Sequence, residues 1–262
     1  MPEADLRFLV PALACLGIAL GLGAAALEHR WLGSGARRWS WTRACVVAVL
    51  MAAVVALLGI RYGIGVQLAA YTALAALLCA VALADLDTMT IPNQLVLAGI
   101  VLWAATVCFL PESPGPFDRG AAFTGVFEQG FVAVALDGLL GAVVVPGCLV
   151  IAAVLYEQVA KKQSFGGGDI KLLFMVGLHL GLAGSAFGLF FSCILGLAVA
   201  ALWRRSRPHS RAQAPQGLQE PQEHQEAAHA LHPSGSGLAA KPSQTFPFGP
   251  AIALATIITL LI

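Results

Sequence analysis

Two aspartates stand where a hydrophobic chain accommodates charge least readily. Asp85 closes an apolar run in Ala84-Asp85-Leu86-Asp87-Thr88-Met89-Thr90-Ile91-Pro92-Asn93, and Asp169 lies in Phe165-Gly166-Gly167-Gly168-Asp169-Ile170-Lys171-Leu172. An acid at the end of a membrane span is costly without a partner or a watery cavity, which makes it a functional candidate. Two carboxylates held face to face do not both ionise cheaply. They share a proton, and a pair in that state activates water against a peptide carbonyl. The chemistry this points to is acid–base peptide hydrolysis, with no metal, no cofactor and no covalent intermediate.

The neighbours of each aspartate suit such a site. Gly166, Gly167 and Gly168 allow a tight turn, with positive φ where needed, and let a second chain approach closely. A peptide has to lie extended beside the acid to be cut. The simpler reading of the same residues is a glycine-rich helix start with Asp169 as its N-cap. Ile91-Pro92-Asn93 opens a further apolar segment, and proline favours the first helical turn. Lys171 is placed either to hold a carboxylate or phosphate, or to extend its amine to the membrane interface. Asp87 competes with Asp85 and is expected to be a solvated acid. Asp137, inside an apolar segment, is expected to be an interfacial or helix-packing acid, and His179 a hydrogen-bonded packing residue.

The elements that position these groups are membrane helices. The 262-residue chain is 58% hydrophobic and 11% charged, with mean hydropathy +0.81; soluble domains carry roughly 25% charged residues. Apolar windows bounded by charge, glycine or proline fall at 8–27, 44–60, 64–84, 94–110, 130–155, 170–182, 184–203 and 247–262. The fold class is an all-α polytopic membrane protein with about eight transmembrane helices. The sixth window is short for a span, so 170–203 has a second reading as one kinked helix. Charge favours eight spans with both termini outside. Twelve of the 15 Lys and Arg residues then share one side, leaving Arg7, Arg61 and Arg119 on the other, the bias expected when the rich side is cytoplasmic. Asp85 and Asp169 both fall on that side, where they can meet.

The organisation follows: two N-terminal helices with a short basic loop over 1–63, a helical core over 64–203, a disordered linker over 204–245 and a final helix over 246–262. The linker is rich in Gln, His, Pro, Ser, Gly and Glu. Its His209, His224, His229 and His232 are expected to be solvated rather than metal-bound. Six cysteines, with no Cys-x-x-Cys pair, read as small buried hydrophobes rather than disulfides or zinc ligands. A net charge of +1, with basic residues scattered between spans, argues against nucleic acid.

Taken together, the motifs resemble those of the type IV prepilin peptidases, membrane aspartic proteases sharing a Gly-x-Gly-Asp signature. In that family an aspartate lies seven residues before a proline followed by Asp or Asn, the spacing of Asp85, Pro92 and Asn93. Gly-x-Gly-Asp-x-Lys-Leu is matched by Gly166, Gly168, Asp169, Lys171 and Leu172, and Pro-Phe-Gly-Pro by Pro247, Phe248, Gly249 and Pro250. The resemblance covers residues 64–262 and implies that Asp85 and Asp169 are the catalytic pair. It implies a multi-pass protein of the bacterial inner membrane, in contact with lipid. Its substrate would be a prepilin or pseudopilin, whose leader is cut on the cytoplasmic side after a glycine.

One family feature is missing. Many members also methylate the new N-terminus, using a domain between the first two spans that often carries two Cys-x-x-Cys pairs. Here the interval is Glu28 to Arg43, without cysteine, too short for a catalytic domain. Leu16-Gly17-Ile18-Ala19-Leu20-Gly21 and Glu28-His29-Arg30 resemble the start of bifunctional members, so the expectation is a peptidase without methyltransferase activity. A presenilin-like protease also uses Gly-x-Gly-Asp, with Tyr-Asp and Pro-Ala-Leu motifs. Here Ala84 precedes Asp85, and Pro-Ala-Leu occurs only at residues 11–13. From other classes, the alternatives are a transporter with paired acids and a catalytically inactive assembly factor.

Overall fold

The computed structural model describes residues 3–32, 41–109, 130–160, 166–206 and 248–262, and every regular element among them is a helix. In chain order these are α1 (Glu3–Leu32), α2 (Trp41–Tyr62), α3 (Val66–Thr88), α4 (Asn93–Thr106), α5 (Phe131–Ala160), α6 (Gly167–Ser206) and α7 (Gly249–Leu261). A short 3-10 turn, Val107–Phe109, prolongs α4. Helices suit an apolar chain in lipid because they satisfy their own backbone hydrogen bonds. Stretches at Trp41–Tyr62, Val66–Thr88, Phe131–Val159 and Gly167–Val199 are long and apolar enough to cross a bilayer, and Val10–Ala26, Asn93–Phe109 and Gly249–Leu261 are shorter apolar helices. The protein is an all-α polytopic membrane protein.

The most buried of the four long apolar helices is α3. Its Leu74, Leu78 and Val81 are fully buried in one cluster with Val55 and Leu58 of α2, Leu172 and Met175 of α6, and Ile252 of α7. Small residues bring other helices into backbone contact, as they do where lipid supplies no hydrophobic drive between helices. A Cβ on Gly17 would lie 2.6 Å from Ala52 Cα, and one on Gly177 2.6 Å from Ala142 Cα, so α1 packs on α2 and α5 on α6 with almost nothing between them.

At Gly181 (φ 70°, ψ −175°) α6 is broken. The Leu182 N–H just beyond the break donates to Asp137 Oδ1 at 3.2 Å, so an α5 carboxylate caps the second limb. Asp137 is therefore the helix-packing acid that the sequence suggested. The two limbs fold back on each other. Gly168 abuts Ile91, Gly196 abuts Phe248 and Gly249 abuts Asp85, which puts both ends of α6 at one end of the bundle. A straight helix would separate residues 168 and 196 by about 42 Å. The break thus falls at the end of the expected segment 170–182, two residues from the gap before 184–203.

At the opposite end, the Tyr62 hydroxyl donates to Leu260 O at 2.9 Å and Arg61 reaches Ile262 O. The end of α2 is thus fastened to the end of α7 there, while the start of α7 meets α3 at Asp85.

One expectation is corrected. Five of the six cysteines (Cys15, Cys45, Cys108, Cys148 and Cys193) lie on exposed helix faces, and Cys79 is half-buried. Large apolar residues such as Val49, Leu50 and Val143 are exposed on the same bundle. A membrane helix can turn apolar side chains outward to lipid, so low polarity is no sign of burial. The linker expected at 204–245 lies outside the described residues from 207 onward, as does Pro247; residues 204–206 still belong to α6.

Candidate active site

Asp85 lies in the last turn of α3, which ends at Met89 in a left-handed conformation (φ 53°), with the Met89 N–H on Asp85 O. Pro92 follows as the extended N-cap of α4, one residue before the first helical residue, Asn93. This sharp α3–α4 turn leaves Asp85 pointing into the bundle, 5% exposed. There the Gly249 N–H donates to Asp85 Oδ2 at 2.9 Å. Gly249 opens α7, so the carboxylate meets the positive end of a helix as well as a hydrogen bond. A side chain at 249 would not fit, because its Cβ would lie 2.8 Å from Asp85 Oδ2. Phe248 wedges against Gly196, and Pro250 occupies the first turn of α7. The Pro-Phe-Gly-Pro motif therefore presents one backbone amide to Asp85, a function its residue types alone did not reveal.

Asp169 lies in the first turn of α6, with its N–H on Gly166 O at 3.2 Å. Helix α6 begins at Gly167, so Asp169 is inside the helix and is not its N-cap. Gly166 makes a backbone hydrogen bond to the carboxylate, and the charge of Asp85 acts on Asp169. The structure thus brings Asp85 and Asp169 to one end of the bundle, within electrostatic reach of each other. None of the three glycines has positive φ, so the turn into α6 makes no use of the left-handed backbone that glycine permits. Close approach is their use. A Cβ on Gly168 would press on Ile91 at 3.3 Å, and one on Gly166 would lie 3.4 Å from Asp169 Oδ2.

Lys171 Nζ donates to Asn93 Oδ1 at 2.9 Å and joins the starts of α4 and α6. Beside this bond an apolar groove of about 500 Å³ runs between the two helices, lined by Val96, Leu97, Ile100, Ile170 and Phe174. His179 is buried, with Nδ1 against Met175 O at 3.1 Å, far along α6 from Asp169. It packs, as expected.

Asp87 corrects a second expectation. Its side chain is only 6% exposed and pairs with Arg43, whose Nη1 lies 2.7 Å from both carboxylate oxygens. Arg43 Nη2 also donates to Leu83 O at 3.3 Å. Asp87 is thus an ion-paired acid between α3 and α2 rather than a solvated one. Its partner is 44 residues away in the chain, and no local motif points to it.

A helical membrane protein that gathers two acids, a glycine-rich helix start and a helix N-terminal amide at one end is the class that fold and site define. Residues 72–201 match the model of the Type IV leader peptidase family, and the chain belongs to that family. A prepilin leader peptidase/N-methyltransferase of Bacillus subtilis (strain 168) is 33% identical over 159 residues, which are 60% of this chain and 51% of that protein. The chain thus spans about half the length of this curated relative. No solved structure matches it.

Proposed function

We propose that the protein is a membrane aspartic endopeptidase that removes leader peptides from prepilins or pseudopilins, with Asp85 and Asp169 as its catalytic pair. The single observation that carries this reading is the placement of the two carboxyl groups at one end of the bundle within electrostatic reach of each other, with the Gly249 N–H on Asp85. Family membership supports the leader-peptidase half of the reading. One aspartate takes a proton from water as it attacks the scissile carbonyl, and the other donates to the carbonyl oxygen.

The charge distribution supports a cytoplasmic position for this end of the bundle. Arg43 and Lys171 lie there and Arg61 at the other end, the sense of the positive-inside rule. The reversal at Gly181 supports counting α6 as two spans, which brings the total to eight. The interval 33–40 leaves no room for a methyltransferase domain between α1 and α2, so in this reading cleavage proceeds without methylation by this chain. In this reading the chain is a multi-pass protein of the bacterial inner membrane, and the part of the expected linker beyond α6 is a tether.

Co-expression of a candidate prepilin with wild type, Asp85→Asn, Asp169→Asn and Asp87→Asn tests the reading. Wild type and Asp87→Asn should release the leader, seen as a mobility shift, while the other two do not. Cleavage by all four would end the aspartic mechanism.

A further inference from the structure

The Arg43–Asp87 pair lies outside the chemistry described so far, yet it stands two residues from Asp85. We propose that Arg43 is a positioning residue that neutralises Asp87 and so keeps a third negative charge away from the Asp85–Asp169 pair. The inference rests on the peptidase reading and adds a residue of α2 to its machinery.

Three features of the geometry carry it. Arg43 engages both oxygens of Asp87 at 2.7 Å and also holds Leu83 O, so one guanidinium clasps the last two turns of α3 on either side of Asp85. Asp87 is 6% exposed against 29% for Arg43, so the acid depends on its partner far more than the base does. A buried carboxylate stripped of its counter-charge is costly, whereas a half-exposed guanidinium is readily solvated. Third, Asp87 shares the last turns of α3 with another buried carboxylate, Asp85, whose own charge bears on Asp169. Three acids at one bundle end would compete for the charged state that a general base needs, while a paired Asp87 leaves two.

The prediction is asymmetric. Arg43→Gln should lower the turnover number about tenfold or more while KM stays within about twofold, because the charge state of the pair is altered rather than substrate contact. Asp87→Asn should stay within about threefold of wild type, since the arginine left behind is partly solvated. Arg43→Gln/Asp87→Asn should recover most of the activity lost in Arg43→Gln, and Arg43→Lys should keep most of it.

The experiment is leader cleavage by membranes carrying each variant at immunoblot-matched levels, with Asp85→Asn as the dead control. Rescue by the double variant supports the inference. If Arg43→Gln fails to accumulate, a double variant that accumulates and cuts supports it equally. Full activity of Arg43→Gln overturns it, and so does an Arg43→Gln defect that Asp87→Asn leaves unrepaired, since that marks a purely structural contact. A wild type that cuts no prepilin overturns the peptidase reading itself, and this inference with it.

Discussion

The backbone amide of Gly249 donates to the carboxylate of Asp85 at 2.9 Å, across 164 residues of chain. This bond joins the last turn of one apolar helix to the first turn of another. It fixes the orientation of an acid that the rest of its surroundings would leave unsupported.

Gly249→Ala should therefore disable the site while sparing the fold. The new methyl group would lie 2.8 Å from Asp85 Oδ2 and 3.1 Å from its Cγ, so the carboxylate has to swing off the amide. Loss of a charge-assisted hydrogen bond corresponds to about 2 kcal/mol, or roughly thirtyfold in leader cleavage. Cleavage within about twofold of wild type would show that the amide plays no part.

Gly181→Ala should destabilise the protein. Position 181 combines φ 70° with a Cβ site that overlaps the Asp137 carboxylate. Backbone strain alone contributes about 1–3 kcal/mol, and the displaced cap adds to it. A lowered melting temperature of the detergent-purified variant is the expected result, and an unchanged one would exclude strain at the break.

Asp137 offers a sharper separation of structure from chemistry. Asp137→Asn keeps an oxygen for the Leu182 N–H and should melt close to wild type. Asp137→Ala removes the acceptor and should lose about 1–2 kcal/mol. Neither should abolish cleavage in the fraction that remains folded, because this acid lies at the opposite end of α6's first limb from Asp169.

Lys171→Met tests the bond between α4 and α6. The Lys171–Asn93 pair is exposed, so its loss should change cleavage by about fivefold or less. A complete loss of activity would reassign the amine to direct contact with substrate.

The helices themselves were legible from hydropathy and charge. Expected segments 44–60 and 64–84 became Trp41–Tyr62 and Val66–Thr88, since a span announces itself by length and by the charges that stop it. Asp85 and Asp169 stood out for the same reason, as acids at the edge of apolar runs. What stayed hidden was every contact between distant residues. Nothing local to Arg43 points to Asp87, and nothing in Pro-Phe-Gly-Pro reveals that one of its amides meets Asp85. The cysteines were misjudged because a rule from water, apolar inward, does not hold where the surroundings are oil. Asp87 was misjudged because a charge near a span end has two outlets, solvent or a partner, and the partner lay on another helix.

The distance in sequence between Asp85 and its amide also sets an order of events. Synthesis runs from the N-terminus, so Asp85 leaves the ribosome 164 residues ahead of Gly249. At ordinary elongation rates that is a delay of roughly 10–30 s. During that interval the nascent chain holds its acid without the amide that orients it. A peptidase of the kind proposed above, maturing only with α7, would be harmless to its own unfinished neighbours in the membrane.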